Sequence, residues 1–133
     1  MSLSQENLEA IVVSVLAVNS YGIERVYGLL PKFRENGLLN PTKISNADVS
    51  QVMMDLYKAG YDRGMLTEMM AGRLVGVLKA VAEGRLDMLN ELVEKGSKTM
   101  AKDLLCQVKG IGPRVASDVW MLVTSREIQG GHL

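Results

Sequence analysis

The chain has 133 residues, of which 47% are apolar, and its 15 basic and 15 acidic residues give a formal net charge of 0. This length suits one domain that is large enough to bury a hydrophobic core. The balance of charges excludes a densely basic surface of the histone type. The single cysteine, Cys106, excludes an intrachain disulfide and a cysteine-ligated iron–sulfur or zinc site, and a reducing intracellular compartment is expected.

Apolar residues recur at helical spacing along the chain, without a convincing strand pattern, internal repeat or low-complexity tract. The predicted helices cover residues 8–18, 23–33, 49–58, 65–83, 86–95, 100–108 and 113–123. The first is apolar on nearly every side, which is typical of a central, buried helix; its β-branched residues leave a strand as the alternative, but its length favours a helix. We expect an all-α fold, with a single helical domain over 1–133 and about six to eight helices.

Proline and N-cap residues predict where several of these helices end or begin. Pro31 is expected to kink or end the second helix, and residues 34–41 are predicted to form a loop. Ser45 or Asn46 is expected to cap the helix that follows. The segment 125–133 is predicted to be frayed. No apolar run reaches the roughly 18 residues of a membrane span, and the sequence has no basic leader typical of a signal peptide, so we expect neither.

Two features of the middle of the chain allow structural and functional interpretations. Gly72 and Gly76 lie inside one predicted helix, where each costs up to about 1 kcal/mol of helix propensity, so we expect a close helix–helix approach to compensate. Five methionines either fill the core, which is the favoured interpretation, or form an adaptable surface for another protein. These are Met53, Met54, Met65, Met69 and Met70.

Near the C-terminus, LLCQVKGIGPRVASDVWMLV predicts two helices joined by a tight glycine hairpin. Gly110 and Gly112 permit positive φ and close backbone approach, and Pro113 suits the first position of the second helix. The free N–H groups and the dipole of that helix attract an anion, and Lys109 and Arg114 would add charge. A phosphodiester is the expected ligand, bound without any base being read.

The hairpin pattern resembles the helix-hairpin-helix motif of the endonuclease III-like (HhH-GPD) DNA glycosylase superfamily. The motif covers residues 100–123, and a weaker resemblance to that family's six-helix barrel runs from residue 7 to 123. VSVLAVNSYGIERVYGLL resembles the opening helix pair of the barrel, and LYKAGYDRGMLTEMMAGRLVGVLKAV resembles its middle segment.

The resemblance implies a DNA-binding protein of the base-excision repair type, which grips double-stranded DNA and cleaves the N-glycosidic bonds of damaged bases. The DNA-binding residues that it implies are Lys109, Gly110, Ile111, Gly112, Pro113, Arg114, Val115 and Asn19. Asn19 would probe the space left by an extruded base, with a helix cap as the alternative. It also implies a monovalent cation held by the backbone carbonyls of Cys106, Val108 and Ile111.

The sequence departs from the family at the residues that carry out catalysis. Arg114 stands where bifunctional members have the nucleophilic lysine, and a guanidinium stays protonated, so lyase chemistry is not expected. The family's catalytic aspartate has no clear counterpart. Glu127 is the candidate substitute, with an exposed terminal charge as the alternative, and Asp118 is expected to be a surface or structural residue. His132 is expected to belong to the C-terminal tail, without a catalytic partner.

The family's second lobe also has no counterpart, so a homo-oligomer or a second subunit would complete the cleft. Three hypotheses stay open: a minimal glycosylase, a catalytically inactive DNA-binding module on the same scaffold, and an all-α protein–protein scaffold.

Overall fold

A computed structural model describes the backbone of residues 2–131 and the side chains of residues 2–125. This part of the chain contains nine α-helices and no strand, which confirms the all-α class. The helices are α1 (Gln5–Leu16), α2 (Ile23–Tyr27), α3 (Leu30–Glu35), α4 (Pro41–Ser45), α5 (Val49–Lys58), α6 (Leu66–Ala82), α7 (Leu89–Glu94), α8 (Lys98–Cys106) and α9 (Pro113–Gly131).

Helix α1 is the centre of the fold. Every residue from 7 to 16 is buried, and α2, α6 and α9 pack around the helix. The side chain of Ser4 caps its N-terminus by accepting a 3.2 Å hydrogen bond from the amide of Asn7. The prediction of a central, buried first helix is therefore confirmed, and the strand alternative is excluded.

Two short helices were not expected from the sequence. Pro31 lies in the first turn of α3, where its fixed φ favours a helix, so the predicted helix over 23–33 is instead divided into α2 and α3. Likewise, Pro41 begins α4, and the side chain of Asn40 accepts a 3.1 Å hydrogen bond from the amide of Lys43. The range of six to eight helices was too low for these reasons.

The cap predicted for α5 was also wrong. Ser45 is the last residue of α4 and Asn46 is the C-cap of that helix, whereas Asp48, in extended conformation, precedes α5. The bounds predicted for α5 itself, 49–58, agree with the structure.

Helix α6 buries only part of its apolar side. Helical spacing in the sequence places Leu66 and Met69 on the same side as Met70, Leu74 and Val77, but Leu66 and Met69 are 40% and 42% exposed. The close helix–helix approach expected at Gly72 and Gly76 is absent from the described part of the chain, since a Cβ built at either glycine has no atom of a more distant residue there within 4 Å. These two glycines instead line an open cleft.

Of the five methionines, Met70 alone is fully buried; Met53 is half-buried and the other three are exposed. Core filling therefore describes Met70 but not Met54, Met65 and Met69.

Helices α8 and α9 stand on either side of the glycine turn and pack against each other, and α9 also packs on α1. The apolar residues of α9 that recur at helical spacing are buried, except that Trp120 is half-buried; the buried ones are Val115, Ala116, Val119 and Val123. The backbone of α9 continues to Gly131, beyond Ser125, where a frayed end was predicted. The side chains of Glu127 and His132 lie outside the described residues. No helix in the described part of the chain is long and apolar enough to cross a membrane.

Candidate nucleic-acid interface

The turn between α8 and α9 is anchored by its apolar residues. Val108 and Ile111 are buried, and the amide of Ile111 donates a 3.1 Å hydrogen bond to the carbonyl of Val108. Gly110 has φ of +101°, a conformation that L side chains rarely adopt. The expectation of positive φ holds for Gly110 but not for Gly112.

The corner that leads into α9 faces solvent. Gly112, Pro113 and Arg114 are exposed, as is Lys109. No described residue accepts a hydrogen bond from the backbone amides of Gly112, Arg114 and Val115. Because α9 is 19 residues long, these free amides lie at the positive end of a substantial helix dipole. The corner therefore has the chemistry of an anion site.

Not every predicted DNA-binding residue can contribute a side chain. Ile111 and Val115 are 3% and 7% exposed, so only their main-chain atoms can reach a ligand. Gly110 is half-buried against α6, where a Cβ would lie 3.6 Å from Val77 and 3.8 Å from Arg73.

A cleft of about 440 Å³ lies beside this corner, and we call it the Asn19 cleft. It is formed by the loop after α1, by α6 and by the first turns of α9. The residues in its wall that bear charge or hydrogen-bonding groups are Asn19, Ser20, Arg73, Arg114 and Asp118. The structure thus brings Asn19 and the hairpin into one site, although they are far apart in the sequence.

The loop that carries Asn19 is strained. Asn19 and Ser20 have φ of +62° and +67°, and a left-handed residue other than glycine costs roughly 1–2 kcal/mol. Ala17, not Asn19, is the C-cap of α1, so Asn19 does not play the alternative role of a helix cap. Such strain is found where the surrounding structure holds a segment for a function.

Arg63 holds this loop in place. Its guanidinium donates to the carbonyls of Val18 at 2.6 Å and of Asn19 at 3.1 Å, and it lies 4.8 Å from the centre of the Tyr21 ring. The guanidinium of Arg25 lies 4.6 Å from the centre of the same ring. The sequence does not reveal this arrangement, since Arg63 sits in a turn outside any helical periodicity.

Arg73 also lines a second cleft, of about 480 Å³, which we call the hairpin groove. Its wall combines Gly72, Arg73 and Gly76 of α6, Arg85 from the turn after α6, and hairpin residues 108–110. Arg85 also donates a 3.3 Å hydrogen bond to the carbonyl of Gln107, just before the hairpin.

Positive charge is concentrated around the hairpin, although the net charge of the chain is 0. Among the described residues the ion pairs are Lys32–Glu35 and Arg34–Glu9, so Arg73, Arg85, Lys109 and Arg114 have no acidic partner. Asp118 is the one carboxylate that these two clefts contain among the described residues. An anion would therefore meet several unpaired cations and little repulsion.

The carbonyls predicted to hold a monovalent cation fit that role in part. No described residue donates a hydrogen bond to the carbonyls of Cys106 and Ile111, whereas that of Val108 accepts the amide of Ile111. Cys106 itself is exposed. The described residues contain no cluster of histidine, cysteine and carboxylate side chains that could hold a metal ion.

No protein-family model, curated protein or solved structure matches this chain. The resemblance to the endonuclease III-like superfamily therefore depends on sequence pattern alone, and the geometry of the hairpin and its two clefts carries the functional argument.

Proposed function

We propose that this protein binds the sugar–phosphate backbone of double-stranded DNA through the hairpin at residues 109–114, in the manner of a base-excision repair glycosylase. One observation carries the proposal: at the exposed start of α9, the backbone amides of Gly112, Arg114 and Val115 have no acceptor among the described residues. Lys109 and Arg114, which flank the corner, have no ion pair with any described residue either. Such a helix N-terminus suits a phosphate, because the amides donate to its oxygens and the dipole favours its charge.

A contact of this kind gives affinity without sequence preference, since phosphates are the same along any duplex. We expect binding to weaken steeply with salt, because each neutralised phosphate releases counterions.

The substitution Gly112→Asp tests the proposal without endangering the fold. Gly112 precedes α9 and has ordinary φ, and a Cβ there would have no atom of a more distant described residue within 4 Å. Aspartate is a favoured residue at this position before a helix. The new carboxylate would take the free amides and repel phosphate. We expect duplex affinity, measured by fluorescence anisotropy, to fall by about tenfold or more.

The matched control is Ser97→Asp, which adds the same charge before α8, at the opposite end of that helix from the hairpin. Its affinity should stay within about twofold of wild type. If Gly112→Asp binds DNA as wild type does, the hairpin is not the anchor.

One observation favours cleavage of N-glycosidic bonds as a second candidate function. The half-buried Asp118 lines the same cleft as Asn19 and Arg114. A carboxylate beside an extruded nucleoside can stabilise the positive charge that develops on the sugar as the bond breaks. Asp118 would then serve in place of the family's aspartate.

This activity is tested with oligonucleotides that carry damaged bases, scored for strand scission after alkali. Asp118→Asn should abolish scission and keep binding, whereas Asp103→Asn, an exposed residue of α8, should change neither. If Asp118→Asn cleaves at the wild-type rate, Glu127→Gln becomes the next variant to measure. If the wild type binds the whole panel and cleaves none of it, the protein is a non-catalytic DNA-binding module.

The carbonyls of Cys106 and Ile111 accept no hydrogen bond from a described residue, so they suit a monovalent cation that would stabilise the hairpin. We expect duplex affinity to be higher in potassium chloride than in tetramethylammonium chloride at equal ionic strength, since the larger ion cannot enter between carbonyls. Equal affinity in both salts would exclude this role.

A further inference from the structure

The hairpin groove contains more positive charge than the anchoring of one phosphate requires. Arg73, Arg85 and Lys109 line it, none has an ion pair with a described residue, and no described acidic side chain belongs to its wall. Its volume, about 480 Å³, lies in the range of ligand sites rather than of packing gaps.

The charge of Arg73 is the least explained by the fold. Its side chain is only half-exposed, it lines both clefts, and it has no hydrogen bond or ion pair with any described residue. A partly desolvated guanidinium without a partner is unfavourable, and an oxyanion that accepts two parallel hydrogen bonds is the ligand that suits it best.

We propose that the hairpin groove is a second phosphate site, which holds a neighbouring phosphate of the DNA strand whose backbone lies on the hairpin. The inference rests on the proposed function and extends it: the DNA backbone crosses α6 as well as the start of α9. Lys109 and Gly110 belong to both the hairpin and the groove, so one strand can contact the two sites in succession. Arg73 and Arg85 then neutralise the second phosphate.

The two glycines of α6 fit this path. The packing of the described residues does not need them, since a Cβ at Gly72 or Gly76 would have no atom of a more distant described residue within 4 Å. Both glycines lower helix propensity, but because they have no side chain, a sugar–phosphate can approach the backbone of α6 closely. The groove is thus open where the ligand would lie.

The test is the salt dependence of duplex binding by Gly76→Glu, measured by fluorescence anisotropy over a series of potassium chloride concentrations. The variant places a carboxylate in the groove at an exposed helical position, where glutamate is a better helix former than glycine, so melting followed by circular dichroism should show no loss of stability. We expect affinity to fall by about tenfold and the slope of log affinity against log salt to become shallower by roughly 0.9, the value for one phosphate.

The matched control is Ala82→Glu, which adds the same charge to an exposed position of α6 that lines neither cleft. Its affinity should stay within about twofold of wild type, with the same slope. Arg85→Gln provides a second variant. As with Gly76→Glu, we expect its duplex affinity to fall and its slope of log affinity against log salt to become shallower.

The results separate this inference from the proposed function. If Gly76→Glu and Arg85→Gln keep the wild-type affinity and slope while Gly112→Asp loses binding, the groove is not a phosphate site and the hairpin remains the anchor. If the wild-type protein binds no duplex at any salt concentration, both proposals are overturned.

Discussion

Tyr61 joins the core to the loop beside the Asn19 cleft. Its side chain is fully buried, and its hydroxyl donates a 2.6 Å hydrogen bond to the carbonyl of Leu16 at the end of α1. Burial raises the pKa of the Tyr61 hydroxyl above its ordinary value of 10.0, because the phenolate is poorly solvated there; the nearby Arg63 opposes this shift without cancelling it.

Because of this shift in the pKa of Tyr61, the free energy of unfolding should decrease as pH rises into the alkaline range. An unfolded chain releases the phenolic proton near pH 10.0, whereas the folded protein retains it to higher pH. The contribution of this residue is complete below that pH and is lost as pH rises through the higher folded-state pKa. Tyr61→Phe should remove this part of the alkaline loss and should also cost about 1–2 kcal/mol at neutral pH, because the Leu16 carbonyl loses its short hydrogen bond.

Urea denaturation at neutral pH and above pH 10 checks this prediction, with Tyr57→Phe as the control on an exposed tyrosine. Parallel stability curves for wild type and Tyr61→Phe across the alkaline range would contradict it.

Ser14 is a polar residue in the buried helix α1, and its hydroxyl forms no hydrogen bond with any described residue. Because a buried unsatisfied hydroxyl is costly and alanine is the better helix former, we expect Ser14→Ala to raise the free energy of unfolding by about 1 kcal/mol. Chemical denaturation measures this change, and a decrease in stability would show that the hydroxyl has a role that the geometry does not explain.

At the scale of elements, the loop between α1 and α2 depends on Arg63. Two of its carbonyls accept hydrogen bonds from this guanidinium, which lies over Tyr21 as well. We expect Arg63→Met to lower the free energy of unfolding by about 2–3 kcal/mol and to weaken duplex binding, because Asn19 is no longer held in its strained conformation.

Arg25→Met is the matched control, since Arg25 lies over the same ring but no hydrogen bond links it to the loop carbonyls. Thermal melting and anisotropy are measured on both variants. Equal effects would indicate that stacking on Tyr21, rather than the bonds to the loop, is what matters.

The longer helices were predictable from two features of the sequence: the helical spacing of apolar residues in α5 and the length of the apolar run in α1. The short helices were not: Pro31 and Pro41 can break a helix or begin one, and which of the two occurs depends on the packing around them. The hairpin was recognisable because glycine, proline and the start of a helix are neighbours in the chain. The groove was not, since Arg73 and Arg85 reach the hairpin only through the packing of α6 and the turn that follows it.

At the scale of the molecule, Asn90 ties the N-terminus to α7 across more than eighty residues of sequence. Its side-chain oxygen accepts hydrogen bonds from the Ser4 amide at 3.0 Å and from the Asn7 side chain at 2.8 Å, with sequence separations of 86 and 83. Its side-chain amide donates to the Ser2 carbonyl at 2.9 Å. These bonds fix the start of the central helix.

Asn90→Ala should cost about 2–3 kcal/mol of unfolding free energy, because it removes three hydrogen bonds and leaves the buried amide of Asn7 without this partner. Asn90 lines neither cleft, so DNA affinity per folded molecule should not change. The control is Asn46→Ala, which removes only a local hydrogen bond to Thr42. A loss of DNA affinity without a loss of stability would contradict the assignment of Asn90 to the fold.

Cys106 is the only thiol among the 133 residues, and it is exposed at the last residue of α8, just before the hairpin. Trp120, the only indole, lies in α9 beyond it. A maleimide dye would therefore attach at a single place in the unaltered chain and would quench the tryptophan by energy transfer. The change in that quenching on ligand addition would report, in real time, how far α8 and α9 move apart.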